Sequence, residues 1–531
     1  MGACWKAMWL GFRVGPAVSH EQEGVVIIES QHIGVRGVRM LTTLAKARRV
    51  QKAQNYASSS DSAGALQRTI SPVQFGLFGF GSIVGTAWVV LLGGWLLHAG
   101  PGGAIVGITM GGGSMALIAA MYAELGSRFP QTGGEVTYIS AVFGKRSGFL
   151  VGWLLTLAYL SALVFEGVAL GWLLEILWPP ITGPSLYVIF GQSIGSGGLI
   201  ASLTCCATIA WLNYRGAHSF VRFQNILTAV FLFIVLVAIG FELYFGSAHN
   251  IYPVWRSGDG GPWFIGAAWV FATAPMMFNS FQTVLHAIEE RSEATSKEVV
   301  VRLCVLAVCA ATVFYLLVVL AAAKAAPWVP LASTELPAVD ALTHLPWSRA
   351  LKTVFLLALV ASLLKAWTSV FMATVRLLLA QAREGMIPGF FGSVNLETGA
   401  PDKAVIIVAI LNLSGLFLGK GLLMPIINIV SSAIALIYVL ICTAALVMRR
   451  REPDHIGFRV PGGYPIGILA AAAALGMAVF ALLQPAQGIQ ADTFKWALLL
   501  SWAVLGFGLY LLRNGGLITV SSVRMSKRNR Q

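Results

Sequence analysis

Charge is scarce in this chain. Lys, Arg, Asp and Glu together make up 11% of its 531 residues, while 57% are apolar. An ordinary soluble domain carries about 25% charged residues. A soluble fold of this length is therefore excluded, and the surplus apolar surface must face lipid. Acids are scarcer than bases, 22 against 36, for a formal net charge of +14. This balance does not point to nucleic acid, because the Lys and Arg residues stand in short clusters between apolar stretches. They form no continuous basic face for a phosphate backbone. Cysteine is limited to six residues. Cys205, Cys206, Cys304, Cys309 and Cys442 fall inside apolar stretches and Cys4 lies near the N-terminus, which is neither a disulfide framework nor metal spacing. They are expected to be small packing residues. The eight histidines are scattered, and none pairs at ligand spacing with an acid or cysteine. No metal, no cofactor and no catalytic cluster of a membrane enzyme is expected.

What the chain has in abundance is long apolar runs. A bilayer core needs ~20 consecutive apolar residues per helical crossing. The stretches 70–98, 103–126, 147–177, 198–214, 219–244, 263–288, 299–323, 349–381, 403–419, 423–448, 465–484 and 493–512 meet or approach this, giving about twelve transmembrane helices. They are continuously apolar, whereas a membrane barrel strand would alternate over ~10 residues. The expected organisation is a cytoplasmic N-terminal tail (1–69) without a fold of its own, one all-α membrane domain (70–512) and a basic C-terminal tail (513–531). Residues 1–39 read as an extension or an over-called start, the second being favoured because Met40 opens an ordinary tail, MLTTLAKARRVQKAQ. Basic residues recur in alternate connections, at Arg128, Lys145 and Arg146, at Arg215 and Arg222, at Arg291 and Lys297, at Arg383 and Lys403, and at Arg449 to Arg451. The connections 178–197 and 485–491 carry no charge. Both termini are therefore expected in the cytoplasm, with the chain in the cell (inner) membrane.

Two runs are interrupted. The first span carries Gly76, Gly79, Gly81 and Gly85, and the sixth carries Thr273-Ala274-Pro275 followed by Asn279 and Ser280. Unwound backbone at membrane depth is tolerated only where it lines a polar cavity. Each interrupted span opens a block of about five, the spacing of a five-plus-five inverted repeat. Glycines that merely permit close helix packing are the other reading, and it suffices for Gly93 and Gly94.

The segments GFGSIVGTAW, AELGSRFPQTGGEVTYISAVFG, FNSFQTVLHAIEE and RLLLAQAREGMIP, with FRVPGG after Arg449, resemble the amino acid-polyamine-organocation permeases. The resemblance covers roughly residues 70–512. It implies secondary transport of an amino acid or polyamine-like amine across the bilayer by alternating access, with a site between helices 1, 3, 6 and 8. Carried over by position, Gly85, Thr86 and Ala87 would cradle a substrate carboxylate with free N–H groups, with Gly81 and Ser82 also in the substrate site. Carbonyls around Phe271, Ala272 and Ala274 would meet its ammonium, with Asn279 and Ser280 also in the substrate site. The chain departs from the family at Ala87 and Ser280, where glycine is usual. Trp88 reads equally as a pocket wall and as a lipid-facing or packing residue.

Charge inside the spans is expensive and tends to be functional. Glu166 in the third span and Lys365 in the eighth are expected to face the cavity, and one or both to change protonation during transport. A fixed buried ion pair between them is the alternative. Proton-coupled relatives place a lysine near Phe231, so Lys365 is expected to replace that cation. A proton co-substrate is favoured, with exchange and a non-transporting sensor as alternatives. Thr368 and Ser369 match the hydroxyls of sodium-coupled relatives only weakly. His286 reads as a proton relay or a structural histidine, and Glu289 with Glu290 as a cytoplasmic gate or loop anchor. Glu175 and Glu242, near the outer ends of their spans, are expected to be solvated.

Overall fold

Lipid offers no partner to backbone polar groups, so an apolar run must satisfy them within itself, as a helix does. The computed structural model describes residues 72–129, 134–215, 220–256, 262–286, 296–393, 401–453, 457–483 and 489–514. The expected N-terminal tail and residues 515–531 of the C-terminal one lie outside these residues, as do Pro130–Gly133 of the resemblance motif and Glu289 and Glu290.

The first interrupted span is α1 (Pro72–Ile83), a break over residues 84–86, and the start of α2 (Ala87–Arg128). Helix α2 contains a second interruption at Gly100, with φ 66° and ψ 173°, followed by Pro101. It therefore holds the end of the first expected span and all of the second. A positive φ is open to glycine because it has no Cβ, and the chain turns back there. Then come α3 (Gly134–Phe143), α4 (Lys145–Leu177), a hairpin, α5 (Ser196–Tyr214) and α6 (Phe220–Phe245). The sixth span is three pieces, α7 (Trp263–Ala272), α8 (Ala274–Met277) and α9 (Thr283–His286). The rest are α10 (Lys297–Ala325), the short α11 (Trp328–Leu331) and α12 (Pro337–Asp340), α13 (Ser348–Arg383), α14 (Asp402–Leu416), α15 (Leu423–Arg451), α16 (Gly463–Leu483) and α17 (Ile489–Asn514). Nine helices among the described residues are long and apolar enough to cross a membrane; α7 with α8 forms a shorter apolar segment.

The uncharged connection 178–197 holds a feature that the sequence reading passed over as loop. Strands β1 (Ser185–Ile189) and β2 (Gln192–Gly195) pair antiparallel. Phe190 and Gly191 between them both have positive φ, 50° and 72°, the two-residue turn that matches strand twist. The Tyr187 hydroxyl fastens this hairpin to the Phe417 carbonyl.

Packing sets the frame of the site. Helix α2 lies along α7 and α10, α4 along α13 and α15, and α15 along α16. At the end of α2, the Glu124 carboxylate is fully buried. It accepts from Arg449 Nε at 2.7 Å, from Arg128 at 3.3 Å and from the Val460 N–H at 3.0 Å. This joins two segments expected from sequence to be separate loops, because a buried charge is tolerated only when fully partnered.

Candidate functional site

The break in the first span leaves donors free. Val84 and Gly85 still bond back, to Phe80 and Ile83, each at 2.9 Å. Among the described residues, no backbone acceptor pairs with the N–H of Thr86, Ala87 or Trp88. The Thr86 hydroxyl is buried and has no partner. Gly81 and Thr86 are buried, while Ser82, Gly85 and Ala87 are partly exposed. A Cβ added to Gly85 would meet nothing within 4 Å, so there is open room beside the break. Gly81 is different: Thr228 of α6 occupies the place a Cβ would take.

The sixth span opens for a different reason. Pro275 has no N–H, so the carbonyl of Phe271 loses its helical partner. Thr273 caps that end, donating from its backbone towards Phe271 and Val270. The Ala274 carbonyl is taken by the Phe278 N–H at 2.9 Å. Of the three carbonyls singled out from sequence, only that of Ala272 has no backbone donor among the described residues; those of Phe278 and Asn279 also lack one. The free acceptors are thus shifted towards the second half of the break. Ser280 has φ 80°, the conformation that glycine would adopt without strain. Asn279 Oδ1 supports it, accepting from the Ser280 N–H at 2.9 Å and from Gln282 at 3.4 Å.

One side chain brings the two breaks together. The Tyr315 hydroxyl of α10 lies 3.2 Å from the Ile83 carbonyl and 3.0 Å from that of Met277. Nothing in the sequence marked it, since it is one more aromatic residue in an apolar helix.

The description of the amino acid permease family matches residues 70–507. The chain belongs to the amino acid permease family. It is therefore a multi-pass membrane transporter of amino acids or related solutes, and not an enzyme. The permease is 27% identical over 414 residues to a methylthioribose transporter of Bacillus subtilis (strain 168), covering 76% of this chain and 86% of that one. It is 24% identical over 424 residues to a branched-chain amino acid permease of the same organism, covering 78% and 88%. An aspartate-proton symporter, also from that organism, is 26% identical over 355 residues, covering 64% and 65%.

In this permease the two intramembrane charges do not form an ion pair. Lys365 Nζ, 4% exposed, donates to Thr228 Oγ1 at 3.0 Å, with the Gly81 carbonyl at 3.4 Å. It thus joins α13 to α6 and α1. Glu166 is also buried, and its Oε2 has no hydrogen-bond partner. No hydrogen bond or contact ion pair joins the two, but each lies within electrostatic reach of the other. The Thr368 and Ser369 hydroxyls donate back within α13, to Leu364 and Lys365. Trp88 is buried and edge-on to Phe314 and Phe355 at 5.8 and 6.3 Å, so it does not face lipid. The backbone of His286 closes α9, and its side chain lies outside the described residues. Glu242 corrects another expectation. It is 5% exposed, because Ala338 of α12 and the turn that follows pack against that end of α6. Among the described residues, no group of three or more metal-ligating side chains occurs.

Proposed function

We propose that this permease carries amino acids or closely related small amines by alternating access, driven by an inward proton gradient. On this reading the twelve stretches are crossings of a five-plus-five inverted repeat with two further helices, and both termini face the cytoplasm. The observation that carries the substrate assignment is the pair of breaks tied through Tyr315. One offers free N–H groups at the start of α2, where the helix dipole also favours an anion. The other offers free carbonyls at Ala272, Phe278 and Asn279 to an ammonium. A zwitterion carries both charges. The free N–H groups of Thr86 and Ala87, with the room beside Gly85, form the carboxylate side behind Gly81 and Ser82, and the 271–280 segment forms the amine side. Proton coupling is supported by Lys365, a cation held against α1 and α6 without a counter-charge in bonding range, and by the proton-coupled relative. Glu166 is its partner in the cycle at longer range.

The test is uptake of labelled amino acids into proteoliposomes, with and without an inward proton gradient, for wild type and Lys365→Ala. Gradient-driven accumulation that the substitution abolishes supports the reading. Accumulation that survives makes Lys365 structural. Uptake that needs internal amino acid and ignores the gradient replaces symport with exchange.

A further inference from the structure

We propose that Glu242 is a proton-binding site of its own, linked to the substrate cradle through Trp88. It deepens the transport reading and rests on it for its role, though not for its existence.

The carboxyl lines a cavity of about 10 Å³, with Trp88 and Leu92 of α2, Val235 and Ile239 of α6, and Phe355 of α13 among its walls. That is room for about one water molecule. Two side chains in its walls carry polar groups without a hydrogen-bond or ion-pair partner among the described residues. Trp88 Nε1 is buried with no acceptor. Glu242 makes no ion pair with any described residue. The charged and titratable groups around it are otherwise placed. Lys324 of α10 donates to the Leu243 carbonyl at 2.7 Å, and Lys352 of α13 pairs with Asp340 at 3.1 Å. Lys365 is bound to Thr228, several turns back along α6. Neither His249 beyond α6, His344 in the covering segment nor Arg349 at the start of α13 forms an ion pair with Glu242.

A bare carboxylate in such a cavity is far costlier than the neutral acid. A metal cation would need several oxygen ligands, and Glu242 supplies the only side-chain oxygen in the wall. A proton is the occupant that fits. The carboxylate oxygen takes it from solvent and holds it as an O–H. One water in the cavity can accept from this O–H, with the Trp88 ring as its wall. Trp88 adjoins Ala87 in the first turn after the break. Movement of that turn when substrate binds therefore opens or closes the cavity. Opened to water, the acid returns its proton to solvent.

The experiment is infrared spectroscopy of the full-length protein in lipid, across a pH series, alongside uptake in the same vesicles. Wild type should show a protonated-carboxyl C=O band at neutral pH. Glu242→Gln should lose part of it, and Glu166→Gln should leave that part intact. Trp88→Phe keeps the acid and should shift its band. The uptake pH profile of Glu242→Gln should move by about one pH unit or more, a tenfold change in proton affinity per unit. A band unchanged in both Glu242→Gln and Trp88→Phe overturns the proposal, even if Glu242→Gln alone folds poorly. If wild type takes up no amino acid but the band is lost as expected, the transport reading fails and the proton site stands.

Discussion

The Tyr315 hydroxyl stands 3.0 Å from the carbonyl oxygen of Met277, the last residue before the sixth span unwinds. The same oxygen lies 3.2 Å from the Ile83 carbonyl, where the first span unwinds. A hydroxyl has one proton to donate, so the two broken ends share it. Both carbonyls are in the protein interior, where an unpaired acceptor is costly.

Tyr315→Phe removes that shared donor and little volume. Stability should fall by about 1–3 kcal/mol, the cost of leaving a buried acceptor unsatisfied. Uptake should fall further than stability, because both breaks shift. Thermal unfolding in detergent, compared with initial uptake rates, separates the two effects. Uptake reduced only in proportion to folded protein would reduce Tyr315 to a packing residue.

Lys365→Met should fold at least as well as wild type. Replacing a buried charge by an apolar chain of similar size is often neutral or stabilising. Gradient-driven accumulation should nevertheless be lost. An unchanged melting temperature with abolished accumulation would mark a functional cation; a large loss of stability would mark a structural one.

Ser280→Gly should stabilise the permease by about 1 kcal/mol, the order of the left-handed penalty for a residue with a Cβ. Its effect on uptake tests whether that strain serves transport. A drop in the melting temperature would mean that the serine side chain contributes more than its backbone costs.

Arg449→Ala leaves Glu124 buried with only Arg128 and the Val460 N–H as partners. A broken buried pair costs about 3–5 kcal/mol, so little folded protein should reach the membrane. Arg449→Lys should rescue poorly, because Arg449 meets both carboxylate oxygens and a lysine cannot do so in the same geometry. Fluorescence size-exclusion profiles of tagged variants measure this directly.

Gly81→Ala places a methyl where Thr228 now sits. It should separate α1 from α6, pull Lys365 away from one of its two partners and lower uptake several-fold. Thr228→Ser should partly restore it by making room. Failure of that rescue would argue that Gly81 acts through α1 alone.

The helices were legible because lipid leaves no alternative. Continuous apolar runs must be helical, and their lengths set their ends. The breaks were legible at Gly85, although Gly76, Gly79 and Gly81 stay helical within α1, and where Pro275 cannot donate. The clamp between them was not. Tyr315 and Ile83 are 232 residues apart, and no periodicity distinguishes a tyrosine that bonds from one that packs. The depth of Glu242 was misread for a related reason. Its place near a helix end suggested water, but the segment that covers it comes some 90 residues later.

The sequence by itself determined that this protein lives in a bilayer, where its helices lie, which two unwind and which family motifs they carry. All of these follow from local chemistry: hydropathy, missing N–H groups and backbone freedom. Tertiary structure alone decided which polar groups meet. Lys365 turned towards Thr228 and Gly81 and not to Glu166, and Glu124 reached Arg449 across 325 residues. In the apolar interior a polar group bonds to whatever the folded chain brings within about 3 Å, and that neighbour is fixed by helix packing, which no stretch of sequence contains.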